Sequence, residues 1–118
     1  MADQLASFCP RYHHAVELIG RRWTGAVIRV LLGGRARYHE LRDAVPAISD
    51  RMLAERLREL EQEGVIDRVV VPETPVRVEY ELTEKGRALE PVVRAIATWA
   101  ETWVPAIEAS QELQQQQP

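Results

Sequence analysis

RYHELRDAVPAISDRMLAERLRELEQEGVIDR, residues Arg37 to Arg68, reads as two helices joined by a tight break and followed at once by strand-like sequence. Tyr38, Leu41, Ala44 and Val45 carry the apolar spacing of a short amphipathic helix, and Pro46 stops it. Ser49 has the side-chain oxygen that a helix start needs, and Asp50 suits the positive end of the helix dipole. A second helix is therefore expected over about 49–63, closed by Gly64. Along it Leu53, Leu57 and Leu60 share one arc, while Arg51, Glu55, Arg58 and Gln62 lie on the opposite side. One face belongs to a core and the other is free. By itself the segment fits equally a helix-turn-helix, with the second helix presented to a DNA groove, and an ordinary helical hairpin with a solvated charged face.

The next residues decide between these. Val65 to Val71 is β-branched, Pro72 to Pro75 makes a turn, and Val76 to Leu82 alternates apolar and polar as a half-buried strand does. Two strands over about 65–82 with a proline-bounded tip form a wing. The expected fold is mainly α with a small β-hairpin, a winged helix-turn-helix. In such a unit the first half of the second helix enters the major groove, where an arginine can donate two hydrogen bonds to a guanine edge. Arg51 is best placed to read a base, with Ser49, Asp50, Glu55 and Arg58 around it. Arg37 and Arg77 fall where backbone phosphates would be held.

The chain resembles the HxlR-type winged helix-turn-helix transcriptional regulators of bacteria. The resemblance rests on Cys9-Pro10, Leu18-Ile19-Gly20, Trp23-Thr24, Arg37-Tyr38 with Glu40-Leu41, Ile48-Ser49, Leu53 with Arg56-Leu57-Arg58-Glu59-Leu60, Val78-Glu79-Tyr80, and Leu82-Thr83 with Gly86. The resemblance covers about residues 9 to 104, with these pieces in order along it. Tyr38, where the family more often has Phe, and His39 depart from the pattern. The resemblance implies a homodimer, a repressor or activator, whose recognition helix and wing bind a palindromic double-stranded operator; the lack of an apolar span or basic leader points to the cytoplasm. It further implies that Cys9 is a candidate sensor of oxidants or electrophiles, since some members use an N-terminal cysteine in that way.

The residues supply their own reading of Cys9. It precedes Pro10 at an apparent helix start, where the dipole and Arg11 would favour the thiolate. The alternative is a small apolar side chain packed under a neighbouring helix.

Charge is segregated along the chain. The net charge is −3, yet residues 11–58 hold ten arginines against five acids, while residues 59–118 hold five basic and twelve acidic residues. The positive half coincides with the expected groove-facing half, and the local field governs phosphate contact more than the total does. At 118 residues and 46% hydrophobic content the chain suits one small domain over residues 1–109. No apolar run reaches the ~18 residues of a membrane span, and no basic leader precedes an apolar stretch. A single cysteine leaves any disulfide to be made between chains.

The flanks look like scaffold. Helices are expected over His13 to Gly20 and Arg22 to Leu32, the second burying Trp23, Ala26, Val27, Val30 and Leu31. A long helix is expected over Arg87 to Ala109, with an apolar set too wide for one face. Val92, Ile96, Trp99, Ala100 and Trp103 are the expected dimer interface, with Trp99 and Trp103 as anchors against the partner's N-terminal helix; the alternative has both tryptophans closing the monomer core. Ser110 to Pro118 is glutamine-rich and expected to be disordered.

Enzymatic readings find little. Cys9, His13 and His14 lack a second ligand pair for zinc, and Gly33-Gly34 is a helix stop, not a nucleotide fingerprint. No metal or cofactor is expected. A second class of function stays open, a winged helix serving only protein interaction or dimerisation; Arg51, Arg58 and Arg77 together argue for DNA.

Overall fold

Chain chemistry at the helix ends sets the architecture of the computed structural model, which describes residues 5–107. The helix α1 spans Pro10–Ile19, three residues earlier than expected, with Pro10 in its first turn and Cys9 as its cap. Proline is preorganised for that position and loses no needed donor there. The helix α2 spans Thr24–Leu32. Its start falls two residues later than expected because Trp23 takes a left-handed backbone with φ of 75°. This shifts the inward set: Val27, Ile28 and Leu31 are buried, whereas Trp23, Ala26 and Val30 are half-buried against them.

A two-residue strand β1, Ala36–Arg37, leads directly into α3, Tyr38–Ala44. The carboxylate of Glu40 accepts the Arg37 N–H at 2.8 Å, satisfying a free amide of the first turn. Ala44, expected on the apolar face, is exposed, and Ile48 in the break is buried in its place. The helix α4 spans Asp50–Gln62, and the Ser49 hydroxyl accepts the Met52 N–H at 3.1 Å. Gly64 follows with φ of +75°, a conformation that favours glycine and ends the helix.

The wing consists of β2, Ile66–Val71, and β3, Arg77–Leu82, paired antiparallel from Ile66↔Leu82 to Val71↔Arg77. Two residues are too few for a periodicity to reveal, so β1 escapes sequence reading; it pairs with β3 on the other side and gives the order β1-β3-β2.

The long C-terminal helix differs most from expectation. A short α5, Glu84–Arg87, is followed by α6, Glu90–Trp103. Pro91 has no N–H to give the Arg87 carbonyl, so the helical ladder breaks between them, and Leu89 N–H turns to Gly86 O instead. At the other end Val104 is extended, with φ of −101° and ψ of 121°, because it precedes Pro105. The helix therefore stops at Trp103 and not at Ala109. Ala109 and the tail from Ser110 to Pro118 lie outside the described residues.

The core gathers Leu41, Leu53, Leu57, Leu60, Ile66 and Leu82 around Val27, Ile28 and Leu31. Neither α1 nor α6 contributes a fully buried residue. Among the described residues no helix is long and apolar enough to cross a membrane.

Candidate nucleic-acid interface

Helix α4 separates its faces as its spacing requires. Leu53, Leu57 and Leu60 are buried, while Arg51 and Arg58 are exposed. The Arg51 side chain is 90% exposed, and among the described residues its ion pair is with Glu55 alone, with Nε 3.3 Å from Oε1 across one helical turn. Such a surface pair is worth well under ~1 kcal/mol, so Arg51 exchanges it readily for a better acceptor. Arg58 forms no ion pair among the described residues.

Ser49 and Asp50 serve the helix itself. Ser49 caps it, and Asp50 is held from two sides by α3. The Tyr38 hydroxyl donates to the Asp50 carbonyl at 2.8 Å, and Arg42 Nη1 lies 3.1 Å from Asp50 Oδ1. Partial burial raises the Tyr38 hydroxyl above its usual pKa, with Asp50 adding to the effect. Tyrosine in place of phenylalanine thus adds a hydrogen bond fixing α4 on α3.

The wing is more constrained than its sequence suggests. Pairing Val71↔Arg77, Val69↔Glu79 and Arg37↔Glu79 puts these side chains on one sheet face. There Arg77 Nη1 lies 2.7 Å from Glu73 Oε2, and its Nε lies 2.8 Å from Glu79 Oε2. Arg35 shares Glu79 with it, 3.3 Å away, and lies 2.9 Å from Glu81. Glu81, then Glu79, raise the Arg35 pKa further. Arg77 reaches a phosphate only by exchanging two carboxylates. The alternation Arg77-x-Glu79-x-Glu81 announces such same-face pairing, and sequence reading passed over it. Arg37 and Arg68 are exposed and form no ion pair among the described residues.

Other exposed surface is apolar. On α6 Val92, Ile96, Trp99 and Trp103 are exposed, the tryptophans by 60% and 70%, and Ala100 is half-buried. On α1 Tyr12 and Val16 are exposed as well, as is Phe8 just before it. A groove of about 240 Å³ between α2 and α6, floored by Ile28, Val93 and Ala97, runs beneath this face. The two tryptophans therefore do not close the monomer core.

Cys9 is exposed, and its carbonyl accepts the His13 N–H at 2.9 Å. Phe8 stacks obliquely on the His13 ring, with centroids 5.4 Å apart. The two histidines point to different carboxylates, His13 to Glu17 at 3.5 Å and His14 to Glu63 at 3.0 Å. Among the described residues no group of three or more His, Cys, Asp or Glu side chains converges as a metal site.

Residues 18–108 match the model of the HxlR-like helix-turn-helix family. The chain belongs to the HxlR-like helix-turn-helix family. It is 48% identical over 99 residues to an uncharacterized HTH-type transcriptional regulator, YvaP of Bacillus subtilis strain 168, covering 84% of this chain and 92% of that one. The HTH-type transcriptional regulator YodB of the same organism is 48% identical over 95 residues, covering 80% and 85%. Its reduced form superposes with a TM-score of 0.76 at 45% identity, over 86% of this chain and all of YodB; YodB is also known diamide-treated and quinone-bound. The redox regulator HypR in its oxidized form gives 0.77 at 39% identity, over 83% and 100%. This HxlR-like chain is a DNA-binding transcriptional regulator with a winged helix-turn-helix fold.

Proposed function

We propose that the chain acts in the cytoplasm as a homodimer on an inverted-repeat operator, with α4 in the major groove and the wing over the adjacent backbone. The observation that carries this reading is the division of the surface. An exposed arginine face on α4 lies on one side, and the exposed indoles of Trp99 and Trp103 lie on another. Exposed apolar area of this kind belongs to an interface, and a two-fold dimer sets its recognition helices about 34 Å apart, one turn of DNA.

Within the interface Arg51 reads a base edge, Arg58 and Glu55 line the groove, and Arg37 and Arg77 hold backbone. Ser49 and Asp50 present α4 at the right angle, and Val92, Ile96, Trp99, Ala100 and Trp103 form the partner surface. Arg51→Ala is expected to cost about 1 to 3 kcal/mol on the operator and to relax preference at one position per half-site. Arg77→Ala weakens every sequence more evenly. A gel shift against DNA upstream of the chain's own gene measures both, and unchanged affinity in Arg51→Ala would remove the base-reading role. Failure of the intact chain to prefer any duplex would favour a protein-interaction module instead.

Cys9 is the proposed sensor. Cys9 stands exposed at the start of α1, its carbonyl bonded to the His13 N–H, and reactivity follows exposure and thiolate character. YodB, known in diamide-treated and quinone-bound forms, and the redox regulator HypR support the same reading. Oxidation here joins two chains by a disulfide or caps the thiol with a small one. Diamide or a quinone should change operator affinity in the wild type and leave Cys9→Ser unaffected; equal responses from both proteins would make Cys9 structural.

A further inference from the structure

Arg56 lies on the wrong side of α4 to touch DNA. It is about 140° round the helix from Arg51, and its side chain is only 9% exposed. An arginine is almost never this buried without a partner that fixes it. Here the Nε donates to the backbone carbonyl of Arg22 at 2.9 Å, and Nη1 pairs with Glu59. The second carboxylate oxygen of Glu59 takes Arg21 Nη1 at 2.9 Å. One turn further on, Glu63 meets His14 Nε2 at 3.0 Å.

Glu59 and Glu63 belong to α4 and its end, while Arg22, Arg21 and His14, which they and Arg56 meet, belong to the corner between α1 and α2 or to α1. That corner is tightly drawn: a Cβ on Gly20 would lie 2.8 Å from the Val16 carbonyl oxygen, leaving no room for a side chain, and Trp23 has a positive φ of 75°. A left-handed backbone at a bulky residue persists only where its surroundings impose it. The carbonyl that Arg56 grips immediately precedes Trp23. Helix α1 has no fully buried residue, and Leu18 at its end is the residue it packs against the core among those described, so its direction leans on this corner.

We infer that Arg56 is a positioning residue for operator recognition: by fastening the α1–α2 corner to α4, it fixes the angle between the apolar face of α1 and the recognition helix. In a dimer built on α1 and α6 that angle sets the distance between the two recognition helices, and hence the half-site spacing the protein accepts. The inference rests on the proposed dimer.

The test compares wild type, Arg56→Met and Arg56→Lys on a full inverted repeat, on one half-site, and on repeats spread by one and two base pairs. The repeat is first selected from random duplexes with the wild type. Arg56→Met should bind the half-site within about twofold of wild type yet lose about tenfold on the full repeat, with a flattened spacing preference, because only the linked second contact suffers. Lysine can hold the carbonyl or Glu59 but not both, so Arg56→Lys should fall between. Circular dichroism and sedimentation establish that each variant is folded and dimeric. If Arg56→Met does not fold, Arg56→Lys and Glu59→Gln carry the same comparison. Equal losses on half-site and full repeat, or no loss on either, would overturn the positioning role. A wild type that gains nothing from the second half-site would instead overturn the dimer, and this role with it.

Discussion

The double variant Trp99→Glu, Trp103→Glu should sediment as a monomer at micromolar concentration and lose about 10²-fold or more in operator affinity, because one half-site contact no longer recruits the other. Both indoles are largely exposed in the single chain, as are Val92 and Ile96 beside them. Across a two-fold axis the same patch meets itself, so four indoles leave water together. At ~25 cal/mol per Å² this contributes on the order of 10 kcal/mol before the cost of association. Four carboxylates placed there remove that gain and repel one another. Helix α6 buries no residue fully in the single chain, so the variant should keep its helical content and its half-site affinity. A variant that remains a dimer would move the interface elsewhere.

How far the sequence could be read depended on the kind of signal each element carries. Helix α4 was legible to its ends because cap, apolar arc and closing glycine agree. The wing was legible because two prolines bracket its tip. Other features needed the third dimension. The strand β1 has two residues and no period of its own, and its existence depends on β3 lying alongside. Arg56 sits at the i+3 position after Leu53, where a polar residue in an apolar arc hinted at a buried partner, but the Arg22 carbonyl that receives it lies 34 positions away. The end of α6 was a different matter. Pro105 stands plainly in the sequence, and the residue before a proline avoids helix; apolar periodicity through Ile107 outweighed it in the reading. Arg77 shows the limit at the site. Its position on the wing was readable, but the two carboxylates that hold it depend on the strand register and the turn.

Gly86→Ala should lower stability by about 3 kcal/mol, at the upper end for overpacking, and the thermal midpoint by about 10 °C or more. A Cβ at this position would stand 2.2 Å from the Val65 carbonyl oxygen and 2.9 Å from Leu82 Cδ2. The oxygen cannot simply retreat. It accepts the Thr83 N–H at 3.0 Å, while Val65 N–H is itself bonded to the Leu60 carbonyl at 2.9 Å. The Thr83 hydroxyl lies 2.6 Å from Gly64 O and accepts the Gly86 N–H at 3.1 Å, and Lys85 Nζ donates to Glu63 O at 2.6 Å. The start of α5 is thus clamped over the turn that ends the recognition helix and begins the wing, so a methyl group at Gly86 must move both. The same substitution at Gly25 serves as the control. Gly25 lies in α2, and a Cβ there would meet nothing within 4 Å, so alanine should stabilise by up to ~1 kcal/mol through helix propensity alone. Thermal unfolding followed by circular dichroism reads both changes. Opposite signs at the two glycines are expected; a Gly86→Ala protein melting within about 2 °C of wild type, well short of the overpacking cost, would show that the clamp yields easily and does not hold wing and recognition helix together.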